Sequence, residues 1–320
     1  MKSKIKNILR TVFSLSLLII LLFYIDLQRI KSYTPDIISP AVLIALAAAL
    51  AQIFLTSWRW QYLLKIVGVT LPLRLIIRTN VVGIISNIVL LNVIGGLTAR
   101  AGILAQKGVE IHSVLSTSVL ERLVIVIVLS IMSLGGLIYL GLGFHIYSNI
   151  AFRVVAGAVL IVAVALLVAN YGIPLLGDRL IWLKVQLVST WLEIRAQALN
   201  GRAMAVTLGL TTVSQVLLVV VGMAVAYSTD VTISLWECAL ILPLVALFSS
   251  LPISIGGLGL REASAVVLLG TLGISSEQAL MISVLISIIT LIAACLSFAI
   301  DMLFELVVRV RSRGDVENTP

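Results

Sequence analysis

Ile94-Gly95-Gly96-Leu97-Thr98-Ala99-Arg100 and Ile255-Gly256-Gly257-Leu258-Gly259-Leu260-Arg261 are two copies of one phrase, identical at five of seven positions and 161 residues apart. After a slip of four residues, about one helical turn, the match resumes. Gly108-Val109 answers Gly273-Ile274, and Ser118-Val119-Leu120 answers Ser283-Val284-Leu285. An arginine that follows a glycine pair inside an apolar stretch is costly in lipid. Keeping that costly unit twice points to a repeat-built membrane transporter rather than a set of inert anchors.

The rest of the chain supplies the lipid. Of its 320 residues 61% are hydrophobic and 11% charged, against roughly 25% charge in soluble domains. No soluble core could hide that much apolar surface, so the chain is read as one integral membrane domain over residues 1–320. Its net charge of +8 lies between and beside apolar segments, which excludes a nucleic-acid face and leaves topology signals and contacts with anionic lipid. Cys238 and Cys295 stand in apolar stretches, and His112 and His145 stand alone near segment ends. Neither a disulfide framework nor a metal site is expected from them.

Full spans are predicted at 7–27, 41–57, 113–140, 151–171, 203–227 and 278–308. The basic start, Met1 to Arg10, leads into the first of these as an uncleaved span beginning in the cytoplasm. Trp58-Arg59-Trp60 is read as an interfacial anchor, and Lys65, Arg74 and Arg78 as a basic cytoplasmic side. The connector 172–202 is amphipathic. Leu180, Leu183, Leu187, Trp191 and Ile194 share one face, and Gln186, Ser189, Glu193 and Gln197 the other, so it is expected to lie on the cytoplasmic surface. The acidic loop with Asp230 and Glu237 is placed outside.

If each glycine-pair unit crossed the membrane once, the basic connector would be external, against the positive-inside rule. If each dips in and returns, loop 58–78, the connector and the tail with Arg309, Arg311 and Arg313 are all cytoplasmic. The fold class expected is therefore all-α: a polytopic helical membrane protein of about six full spans plus two inverted re-entrant hairpins. The internal repeat covers 79–140 and 240–308, and both termini lie in the cytoplasm beneath the cell membrane.

A glycine pair lets the backbone turn sharply, and such a turn is tolerated in lipid only against protein or a wet cavity. A half-helix starting there aims N–H groups and the positive end of its dipole at the midplane. Arg100 and Arg261, with Gly95, Gly96, Gly256 and Gly257, thus form candidate anion sites suited to a phosphate. Each arginine can equally be a structural member of an ion pair. Glu121-Arg122 lies within a span, and Glu262 follows Arg261. Neighbours on a helix diverge by about 100°, so cross-pairing is expected: Glu121 with Arg261 or Arg100, or Glu262 with Arg122. Asp301 and Glu305 are either a proton-coupling pair or solvated end charges. Gly135-Gly136, without a charge beside it, is read as a close-packing point.

Leu251-Pro252-Ile253-Ser254-Ile255-Gly256-Gly257-Leu258-Gly259-Leu260-Arg261-Glu262 resembles the second signature of the lysylphosphatidylglycerol synthase transmembrane-region family, the flippase-like membrane domain. Ile94-Gly95-Gly96 through Arg100, followed by Glu121-Arg122-Leu123, resembles its first half. The family's first signature has a proline before the glycines and an acidic residue after them, where this chain has Leu91 and Leu97. The resemblance covers residues 10–308. It implies a protein linked to moving lipids or lipid-linked sugars between leaflets, with an anionic or phosphate-bearing lipid as partner. Aminoacylating members carry a soluble synthase domain after the membrane domain. Here a short polar tail follows, so aminoacyl transfer is not expected. Neither a catalytic constellation, a GxxxxGK[ST] loop nor a cofactor motif is present. Two alternatives stay open: an intramembrane lipid-modifying enzyme, or a non-catalytic membrane partner of a synthase or glycosyltransferase.

Overall fold

The computed structural model describes residues 39–89, 93–143, 181–250 and 259–317, all of whose regular structure is helical. The spans expected at 7–27 and 151–171 lie outside the described residues, as do Leu91, His145, Gly256 and Gly257. In chain order the helices are α1 (Pro40–Ile66), α2 (Leu73–Val89), α3 (Val93–Ala105), α4 (Ile111–Gly143), α5 (Ile181–Leu199), α6 (Gly201–Ser228), α7 (Leu235–Ser250), α8 (Leu260–Gly270) and α9 (Ser276–Glu317). Four of them are long and apolar enough to cross a membrane: α1, α4 over Ile111–Gly135, α6, and α9 over Ser276–Glu305. They fall on four of the six expected spans.

The helix starts are written locally. Ser39 caps α1, with Pro40 in its first turn. Asn200 caps α6 by accepting from the Ala203 N–H. Ser234 and Glu237 at α7, and Ser275 and Gln278 at α9, form reciprocal capping boxes.

The helices α2 and α3 have 17 and 13 residues, and α7 and α8 have 16 and 11. At 1.5 Å per residue none exceeds about 26 Å, less than the roughly 30 Å of a hydrocarbon core. They pack in pairs, α2 on α3 and α7 on α8. The first pair is antiparallel: Asn87 faces Gly96, and Asn80 faces Arg100. Both second helices end in the same turn. Gly108 has φ 78° and Gly273 has φ 79°, conformations that favour glycine. Val109 N–H donates to Leu104 O at 3.1 Å, and Ile274 N–H to Leu269 O at 3.4 Å. The repeated Gly-Val and Gly-Ile steps of the sequence are therefore one structural device used twice.

Polarity runs inside out. Ile131 and Leu303 are 67% and 64% exposed, while Glu121 is 6% exposed. That arrangement suits a lipid solvent. The main core joins α1, α2, α6, α7, α8 and α9. Small residues Ala45, Ala48 and Ala49 bring α1 close to α6. Gly135 lies against Leu240, and an added Cβ would come within 3.1 Å of it, so it sits where α4 and α7 pack.

The connector keeps its expected apolar face, with Ile194 buried and Trp191 packed beside it against Leu63 and Leu120, and departs from the expectation on its polar side. Its helix α5 packs on α4 and α6. Gln197 is buried, and Glu193 accepts from Ser113 Oγ at 3.1 Å and Ser116 Oγ at 2.5 Å. Val185, Leu192 and Leu199 are exposed instead. The serines of α4 draw Glu193 inward beside that apolar face.

Candidate functional site

The first charged centre surrounds Glu121 on α4. Arg59 of α1 donates from Nη2 to Glu121 Oε1 at 2.6 Å and from Nη1 to Thr211 Oγ1 at 2.7 Å. Arg100 of α3 donates from Nη1 to Glu121 Oε2 at 3.1 Å and from Nη2 to Asn80 Oδ1. Its guanidinium also lies 4.7 Å from the centroid of the Trp60 ring. Asn80 in turn donates to Ser57 Oγ at 2.9 Å. One carboxylate thus ties α1 and α3 to α4, and its partners extend the tie to α2 and α6. Gly83 makes room for Arg100: a Cβ there would stand 2.9 Å from Arg100 Nε. Gly96 N–H donates to Asn87 Oδ1 at 2.9 Å, and a Cβ at Gly96 would collide with that side chain. Gly95 is buried beside it.

Arg59 is the residue that sequence reading misassigned. It is 1% exposed and Trp60 0%, while only Trp58 faces outward. Residues 58 and 60 are about 200° apart on a helix, so with Trp60 turned into the core Trp58 faces outward.

The second centre opens α8. Gly259 holds φ 80°, and its N–H donates to Glu262 Oε2 at 2.6 Å. Arg261 donates to Glu262 Oε1 from Nε at 3.0 Å and from Nη2 at 2.6 Å. This corrects the expectation that adjacent residues would not pair. Glu262 turns back to cap the helix, and the long guanidinium arm spans the angular gap. Gly259 was legible as the third glycine of its phrase, but its role went unread.

Arg261 lines a cavity of about 480 Å³ between α1, α2, α6, α7, α8 and α9. The walls are apolar, including Leu242, Val245, Ile282 and Ile286. The polar lining comes from Gln52, Asn87, Ser249, Ser283, Ser287 and Thr290. Both short helix pairs contribute, α2 through Asn87 and the other pair through Ser249 and Arg261. Arg261 is the one charged residue among the described lining. Its Nη1 donates to none of the described residues, and Ser283 Oγ is buried without a partner among them.

The structure therefore divides the expected site residues. Glu121 pairs with Arg100, as one expected cross-pair had it, and with Arg59. Glu262 pairs with Arg261 rather than Arg122. Arg122 is exposed and makes no hydrogen bond or ion pair with the described residues. Asp301 and Glu305 are not solvated end charges. Asp301 is 8% exposed and lies 2.5 Å from Arg74, and Glu305 lies 2.9 Å from Arg78. Those arginines of α2 were read as topology markers. No group of three or more His, Cys, Asp or Glu placed to hold a metal occurs among the described residues.

Fold and site together define a polytopic helical membrane protein with buried charge and a polar-tipped apolar cavity between its helices. The chain belongs to a family of that kind: residues 7–297 match the lysylphosphatidylglycerol synthase TM region. Membership makes it a membrane protein of lipid-related function. No curated protein and no solved structure matches it.

Proposed function

We propose that the chain is a flippase-like translocator that carries a phosphate-bearing lipid between leaflets. The supporting observation is Arg261 on the cavity, with Nη1 uncommitted among the described residues and apolar walls around it. The guanidinium holds the lipid phosphate, and the acyl chains follow the apolar wall into the bilayer. The two short helix pairs act as inverted re-entrant hairpins, and their alternate exposure moves the headgroup past the hydrocarbon. The protein sits in the cell membrane with both termini cytoplasmic.

The two arginines take different parts. Arg100 is engaged by Glu121, Asn80 and Trp60, which favours a structural role for it. Arg261 is the substrate contact.

The test is movement of an acyl-labelled fluorescent phospholipid in vesicles containing the purified full chain, read with a membrane-impermeant quencher. The wild type moves the label faster than protein-free vesicles. Arg261→Gln and Ala265→Trp, which fills the cavity, both return the rate towards background. Equal rates with and without protein defeat the proposal.

A further inference from the structure

The cavity chemistry is narrower than a general lipid site, and the inference drawn from it rests on the translocator reading. Consider first what a cationic headgroup would meet. Arg261 is the one charged residue among the described lining. The nearest carboxylate in sequence, Glu262, is 3% exposed. Its Oε1 is taken by Arg261 and its Oε2 by the Gly259 N–H at the α8 N-terminus. The positive helix end answers about half of the Glu262 charge, so the pair and the helix end together leave a modest positive field at the cavity, with Arg261 as its donor group. The described lining also contains no aromatic ring. Among the described lining residues an ammonium or trimethylammonium group would find neither a carboxylate nor a π face, and it would approach a like charge away from bulk water.

Now consider a neutral polyol. Ser249, Ser287 and Thr290 donate their hydroxyl protons to Ala246 O, Ser283 O and Ile286 O of their own helices. Their oxygens keep lone pairs for incoming donors. Ser283 Oγ, buried and unpartnered among the described residues, can donate as well as accept. Acceptors beside one guanidinium complement a phosphate that carries hydroxyl groups.

We infer that this cavity selects an anionic lipid whose phosphate bears a neutral hydroxylated headgroup. It excludes cationic and zwitterionic headgroups, the lysylated lipid of the family's name among them.

The experiment uses full-length protein in vesicles with three acyl-labelled probes: phosphatidylglycerol, its lysyl ester and phosphatidylcholine. Lipids retained by the purified wild type and by Arg261→Gln are weighed by mass spectrometry from the same preparations. Phosphatidylglycerol moves faster than either other probe by about tenfold or more, a barrier difference of about 1.4 kcal/mol. Arg261→Gln removes the difference, and water-soluble glycerol phosphate in excess leaves it in place. Equal or faster movement of the lysyl ester or phosphatidylcholine overturns the headgroup class while translocation stands. Suppression by glycerol phosphate overturns the lipid assignment in favour of a soluble phosphate ester. If no probe moves but phosphatidylglycerol is enriched in the wild type and lost in Arg261→Gln, the headgroup class stands and translocation fails. No movement and no enrichment defeats both.

Discussion

Arg59 Nη2 lies 2.6 Å from Glu121 Oε1, and the two side chains are 1% and 7% exposed. They stand 62 residues apart in the sequence, on α1 and α4, and the same carboxylate also holds Arg100. Two guanidinium groups around one carboxylate leave this centre net positive, with Glu121 the one carboxylate bonded to them among the described residues.

Removing that carboxylate is therefore the most damaging single change at this centre. Glu121→Gln leaves Arg59 buried without a counter-charge, and breaking a buried pair from one side costs about 3–5 kcal/mol. Arg100→Gln leaves the Arg59–Glu121 pair intact, and the lost charged hydrogen bonds cost roughly 1–3 kcal/mol. Thermal unfolding in detergent should rank wild type above Arg100→Gln and Arg100→Gln above Glu121→Gln. The reverse order of the two variants would mean that Arg59 does not depend on Glu121.

Gly259 and Gly102 are both helix-associated glycines, yet they should respond oppositely to alanine. Gly259 sits at φ 80°, where a Cβ costs about 1–2 kcal/mol, and its strain would disturb the Arg261–Glu262 arrangement directly above it. Gly102 is inside α3, and a Cβ added there would meet nothing within 4 Å, so alanine gains up to about 1 kcal/mol of helix propensity. Melting temperature and lipid movement are both read. Gly259→Ala lowers both, and Gly102→Ala keeps or raises the melting temperature. A neutral Gly259→Ala would remove the turn from the account of the site.

The apolar spans were legible because the bilayer imposes length and composition on them: the described long helices α1, α4, α6 and α9 all fall on segments read from hydropathy. The Gly108 and Gly273 turns were legible as a repeat because only glycine sits easily at their positive φ. Apart from Glu121 with Arg100, the partners of the charges were not legible. Arg59 lies between two tryptophans, and the local pattern imitates an interfacial anchor. Only the packing of α1 against α4 and α6 reveals Glu121 and Thr211 beside it. Arg74 and Asp301 are 227 residues apart, and no local spacing signals such a pair. The Arg261–Glu262 bond was missed because helix angles locate Cβ atoms, not the end of a long side chain.

The α2–α9 charge cluster is a second hold on the first hairpin, and it is of a different kind. Arg74 is 42% exposed and stacks 4.5 Å from the Phe304 ring centroid, so salt can reach this pair as it cannot reach Arg59–Glu121. Asp301→Asn should destabilise more than Glu305→Gln, because Asp301 is 8% exposed and Glu305 32%. The charge swap Arg74→Asp/Asp301→Arg should recover part of the loss. The Asp301→Asn deficit should also shrink at high salt. A double swap no better than its worse single parent would show that the cluster acts through packing alone.

Ser118 and Ser283 stand at matching places of the repeat, ten residues after Gly108 and Gly273, and both hydroxyls are buried without a hydrogen-bond partner among the described residues. Their surroundings differ, since Ser283 lines the cavity and Ser118 is not among its lining residues. An orphaned buried hydroxyl costs about 1–3 kcal/mol, so alanine at either position should raise the melting temperature of the lipid-free protein. The effects on transport should then separate. Ser283→Ala slows movement of the anionic lipid because the cavity loses its one uncommitted donor among the described hydroxyls, whereas Ser118→Ala leaves movement unchanged. Stabilisation without any transport difference between the two would mean that Ser283 is a packing residue, and that headgroup hydrogen bonding lies elsewhere on the wall.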